Sequence, residues 1–134
     1  MRAGKALLVI LGVMNVPFAV WVIVDPVPVI EFGGLTVASP VALTEVRAMY
    51  GGLIGGLGIL SLIGAWREER TAAALWANAW AFSGIAVVRS LSCLASGLWG
   101  AQALFSLLEI AAGVTCFLML TRVERETGSE HPSS

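Results

Sequence analysis

Apolar residues in this chain run in four long windows, over residues 6–24, 46–66, 72–94 and 101–120. Each is near the ~20 residues that a helix needs to cross a hydrocarbon core. Backbone facing lipid must satisfy its own hydrogen bonds, which makes helices the default spanning form. The pattern predicts an all-α protein, an integral membrane four-helix bundle over residues 1–120. A polar, disordered cytoplasmic tail is expected over residues 121–134.

Composition points the same way. Hydrophobic residues make up 57% of the 134 positions and charged residues 13%, and the mean hydropathy is +0.86. An average soluble domain is roughly a quarter charged. A chain this small has too much surface for its volume to hide so much apolar area from water. The lipid bilayer must cover it. A soluble enzyme and a disulfide-rich secreted module are excluded, and a net charge of −1 leaves no basic patch for nucleic acid.

Arg2 and Lys5 precede the first window as in a signal peptide. The apolar run is longer than the usual ~7–15 residues, and no small-x-small cleavage site follows, so a retained helix is expected. Six of the eight basic residues (Arg2, Lys5, Arg67, Arg70, Arg122 and Arg125) fall on one side of the bundle. Basic residues in short connections stay cytoplasmic. Both termini are therefore expected in the cytoplasm, under a cell inner membrane.

The first connection, residues 25–44, is too long for a simple helix–helix link. Asp25-Pro26-Val27-Pro28 ends the first helix, because proline lacks a backbone donor. Two β-prone stretches then flank Gly33-Gly34, which is a short hairpin signal. Ser39-Pro40 reads as an N-cap followed by a first-turn proline. An ordered outer loop results, either an inert surface hairpin or a lid over a pocket.

Polar residues within the windows carry the candidate chemistry. Gln102, Ser106, Glu109, Gly113 and Cys116 recur at helical spacing on one stripe. Asn78, Phe82, Ile85, Arg89 and Ser92 form a matching stripe on the third window. These two helices are joined by a short turn and must be antiparallel neighbours. Arg89 and Glu109 then differ in depth by only ~4–5 Å, so an ion pair between them is predicted. Intramembrane charges are costly and usually face a bundle interior or a wet cavity. Glu45, Arg47 and Tyr50 stand at the start of the second window, also in the outer half. Asn15 lies near mid-membrane, where it can hydrogen-bond across helices. A ligand-binding set of Arg47, Arg89, Glu45 and Asn15 follows, with Glu109 and Tyr50 as candidate proton-exchanging groups. The simpler reading is a structural ion-pair network that fixes helix register.

The glycines of the second window, on a face spanning residues 51–58, let another helix approach closely. That helix belongs to the same bundle or to a homodimer partner. They are not a phosphate loop, because no strand–loop–helix context exists. Cys93 and Cys116 read as small buried residues at different depths. His131 is alone in the tail, so no metal site and no cofactor are expected.

The stretch Glu45-Val46-Arg47-Ala48-Met49-Tyr50-Gly51-Gly52 resembles an R-x-x-Y-G-G signature at the start of helix two. It is similar to that of small bacterial four-span membrane proteins catalogued as a domain of unknown function. Those also carry an arginine in helix three and an acidic residue in helix four, which match Arg89 and Glu109. The resemblance covers about residues 6–120. It implies the architecture and a shared polar site, but no activity.

Three functions fit these residues. The first is binding of a small hydrophobic or amphipathic ligand in an outer-half pocket, with acid–base chemistry of an isomerase or cyclase type open to it. The second is a proton-coupled transporter acting as a homodimer. The third is an accessory subunit of a larger membrane complex.

Overall fold

The computed structural model describes residues 1–34, 36, 39–97 and 99–128. Helix α1 (Arg2–Val24) rises from the end of the bundle that carries the termini. A short helix, α2 (Pro26–Phe32), lies at the opposite, loop end. Helix α3 (Pro40–Trp66) descends, α4 (Glu68–Ser96) rises and α5 (Gly100–Gly128) descends. No strand occurs among the described residues. The four long helices are each long and apolar enough to span a membrane, and only 22–33% of their apolar windows is buried within the chain. Lipid must cover the remainder, so this is a multi-pass membrane protein.

Two expectations are corrected. The first arm of the expected hairpin is helical: Val29-Ile30-Glu31-Phe32 belongs to α2. Pro26 at the first turn presets a helical φ, and burial of Pro26 and Ile30 outweighs the β-propensity of the stretch. The proposed second arm lies largely at residues 35, 37 and 38, outside the described residues. Helix α3 begins at Pro40, where the Ser39-Pro40 cap places it, with the Ser39 side chain accepting from the Ala42 N–H at 3.2 Å. Finally, α5 does not stop at residue 120. It continues through Gly128, and Glu126 pairs with the N-terminal ammonium group. Residues 129–134, including His131, lie outside the described residues.

The apolar core sits toward the termini end, where Leu8 and Leu11 of α1 meet Ala74, Leu75 and Ala79 of α4 and Cys116, Leu120 and Val123 of α5. Cys93 and Cys116 are both buried free thiols. Lys5 and Glu68 add an ion pair at 2.8 Å at this end.

Small residues set the contact between α1 and α3. A Cβ on Gly51 would stand 2.5 Å from Ile23 Cγ1, one on Gly55 3.0 Å from Ala19 Cβ, and one on Gly58 2.9 Å from Val16 Cγ2. Of the two partners open to this glycine face, α1 of the same chain is the one seated on Gly51, Gly55 and Gly58. Gly56, facing away, would meet nothing within 4 Å.

The α4–α5 turn depends on one glycine. Gly97 ends α4 in the left-handed region at φ 70°, which costs a residue with a Cβ roughly 1–2 kcal/mol. Gly97→Ala should therefore lower stability by about 1 kcal/mol, read as a fall in the thermal midpoint in detergent.

Candidate functional site

The polar stripes on α4 and α5 meet. Gly113 allows close approach, since a Cβ there would sit 2.6 Å from Ser83 Oγ. One step toward the loop end, the Ser90 and Ser106 hydroxyls are 2.9 Å apart. In the same region lies the predicted ion pair. Arg89 Nε donates to Glu109 Oε2 at 2.9 Å and Oε1 at 3.2 Å, and Nη2 donates to Oε1 at 2.7 Å. This forked geometry suits the planar guanidinium. The two side chains are 23% and 15% exposed, so the charges face each other rather than lipid.

Gln102 extends the pair. Its Oε1 accepts from Arg89 Nη1 at 2.6 Å, and its Nε2 donates to the Gly33 carbonyl at 2.8 Å. A continuous chain of hydrogen bonds thus runs from Glu109 through Arg89 and Gln102 to the turn after α2. Phe105 packs below it, with the Arg89 guanidinium carbon 5.6 Å from the ring centroid. Phe32 of α2 meets the same ring edge-on at 6.1 Å. These contacts fix α2 against the loop end of α5. Sequence reasoning put Gln102 on the right stripe but gave it no role. Its place two turns before Glu109 was the available signal.

Beside this chain lies a cavity of about 1010 Å³, whose lining includes Tyr50, Gly84, Val88, Arg89, Ser92 and Gln102. Contacts that tie α3 to α4 occur nearer the termini end. There Thr71 Oγ1 donates to the Gly64 carbonyl at 2.8 Å and Asn78 Nδ2 to Ser61 Oγ at 2.9 Å. Toward the loop end the groove takes the space between Tyr50 of α3 and the last turns of α4. Tyr50, Val88 and Ser92 are exposed, so the groove opens on the bundle surface, where lipid lies.

The signature Arg47-x-x-Tyr50-Gly51-Gly52 coincides with a π-helical stretch of α3, Arg47–Leu53. Such wide turns inside α-helices are rare and recur at functional sites. Here the stretch turns two side chains to different tasks. Tyr50 reaches the groove. Arg47 does not; its Nε donates to the Ile23 carbonyl at 3.0 Å. That carbonyl lies in the last turn of α1, where acceptors lack intrahelical partners and a cation is favoured.

The four-charge network is therefore corrected to one pair. Arg47 caps α1, because the register of α3 sets it against that helix end. Glu45 is exposed on α3 and does not line the groove. Asn15 packs against Gly58 at the α1–α3 contact, away from the groove. Its Nδ2, like Asn78 Oδ1, is buried without a hydrogen-bond partner among the described residues. Glu109 also stays out of the lining, held on Arg89. Of the six residues singled out, only Tyr50 and Arg89 line the groove, with Glu109 attached through the guanidinium. Among the described residues no three His, Cys, Asp or Glu side chains gather into a metal-binding group.

A family model described as Domain of unknown function (DUF4345) matches residues 3–120. The chain belongs to this family. The match takes in the first three spanning helices and α5 as far as residue 120, so both the ion pair and the groove of this DUF4345 protein lie within the family's domain. No curated protein and no solved structure matches the chain.

Proposed function

We propose that this protein binds a small amphipathic molecule drawn from the bilayer, in the groove between Tyr50 and Arg89. One observation carries the reading: Arg89, a charged side chain already paired inside the bundle, also lines an apolar-walled cavity large enough for a small ligand. A guanidinium has five N–H donors. Nε and one N–H on each terminal nitrogen are engaged, which leaves two for a ligand oxygen. The distribution of basic residues supports cytoplasmic termini and a groove in the outer half of the membrane.

Binding is favoured over acid–base turnover. Glu109, the expected proton carrier, has both oxygens on the guanidinium and does not line the groove. Transport by a homodimer is less favoured, since α1 occupies the Gly51, Gly55 and Gly58 face of α3.

Gly84 supplies the test. It lines the groove, and a Cβ there would meet nothing within 4 Å. Gly84→Leu should project into the groove and obstruct it, and leave the fold intact, because leucine is also the better helix former. Organic extracts of the wild-type protein purified in detergent should contain a discrete species, by mass spectrometry, that the variant lacks. Identical extracts from two equally folded proteins would contradict the proposal.

A further inference from the structure

We infer that the groove selects an amphiphile whose polar head is uncharged and presents an acceptor oxygen, as an ester or ketone carbonyl does. This rests on the groove being a ligand site and concerns only the head it takes.

The polar groups of the lining lead to this class. Among the described residues, Arg89 is the only charged side chain in the lining. Its charge is already balanced by Glu109 through three contacts. An anionic head would compete with that carboxylate for the same guanidinium and bring like charges together. A cationic head would meet the guanidinium itself. Both would leave an uncompensated charge in a low-dielectric site.

The strongest hydrogen-bonding groups left for a ligand are donors, while Ser92 and Ser96 offer only hydroxyl oxygens. Arg89 keeps two N–H groups. Gln102 Nε2 has given one of its two to Gly33. Tyr50, from α3, adds a hydroxyl to the same lining. Ser92 and Ser96 turn their hydroxyl protons to the Val88 and Ser92 carbonyls at 2.8 Å each. An acceptor oxygen entering from the bilayer meets arginine, amide and phenol donors, and its own desolvation is offset by the bonds it gains. The apolar tail lies along Ile85 and Val88.

Equilibrium binding to the purified full-length protein, by scintillation proximity in detergent, tests this with three radiolabelled probes of equal tail length. They are methyl palmitate, hexadecyl sulfate and hexadecane. Methyl palmitate should bind about tenfold more tightly than either of the others, the gain of one hydrogen bond to a charged donor. Tyr50→Phe should weaken the ester and leave hexadecane unchanged. Glu109→Gln keeps the shape but removes the compensating charge, so hexadecyl sulfate should overtake methyl palmitate.

Equal or tighter binding of hexadecyl sulfate to the wild type overturns the inference. If Gly84→Leu still blocks the probes, the groove survives that result. Saturable binding of none of the three, or binding that Gly84→Leu leaves intact, overturns the groove itself. The wild-type order decides the head class even if Glu109→Gln fails to fold.

Discussion

Arg89→Ala should lower the unfolding free energy by about 3 kcal/mol, with Glu109→Ala of similar size. Truncating the arginine strands the Glu109 carboxylate, 15% exposed, with none of its three guanidinium contacts. It also strips Gln102 Oε1 of its 2.6 Å donor, which loosens the link to Gly33. An unpaired charge in such a setting costs far more than an intact pair contributes, because pairing mainly recovers desolvation. The double substitution Arg89→Leu with Glu109→Leu should therefore cost less than either single change. Unfolding in mixed micelles, titrated with sodium dodecyl sulfate, measures all three. Strongly non-additive losses are expected. Additive losses would mean that the two side chains do not share one environment.

Gly58→Ile should cost about 3 kcal/mol, the upper end for forcing bulk into a packed contact. Its Cβ would meet Val16 Cγ2 at 2.9 Å, Asn15 Cβ at 3.0 Å and the Val16 backbone nitrogen at 3.1 Å. Side chains can rotate away, but a helix backbone yields only if α1 moves off α3. The same substitution two residues earlier is the control. Gly56→Ile points into open space and gains helix propensity, so it should be neutral or slightly stabilising. Thermal unfolding in detergent compares them. Equal losses at the two positions would show that α1 is not seated on the Gly58 face.

Helical spacing explains why the α4–α5 partnership was readable in advance. Two polar stripes, a short turn and the cost of charge in lipid leave Arg89 and Glu109 few places but opposite each other. The remainder depended on geometry that periodicity does not carry. Glu45 and Arg47 are close in sequence and share a depth, yet the π-helical turn and the end of α1 gave Arg47 a carbonyl to cap instead of a ligand site. The α2 helix was hidden by Val29 and Ile30, whose β-propensity yields to burial and to Pro26. The start of α3 was legible in Ser39-Pro40, although the apolar window opens only after Thr44 and Glu45, since hydropathy marks the membrane-covered part of a helix rather than its ends. Gln102 and Gly33 are 69 positions apart. Their bond needs α2 folded over α5, which no local pattern encodes. The groove is a property of diverging helices and leaves no mark in a one-dimensional sequence.

Photo-crosslinking at the groove wall tests the central claim most directly. Val88→p-benzoylphenylalanine puts a reactive carbonyl in the lining, and Ile59→p-benzoylphenylalanine puts one on an exposed apolar face of α3 as the reference for bulk lipid. After irradiation in cells, intact-mass spectra of the first should carry a discrete small-molecule adduct that the second lacks and that Gly84→Leu removes. The same phospholipid adducts at both positions, unaffected by Gly84→Leu, would contradict a ligand site in this protein.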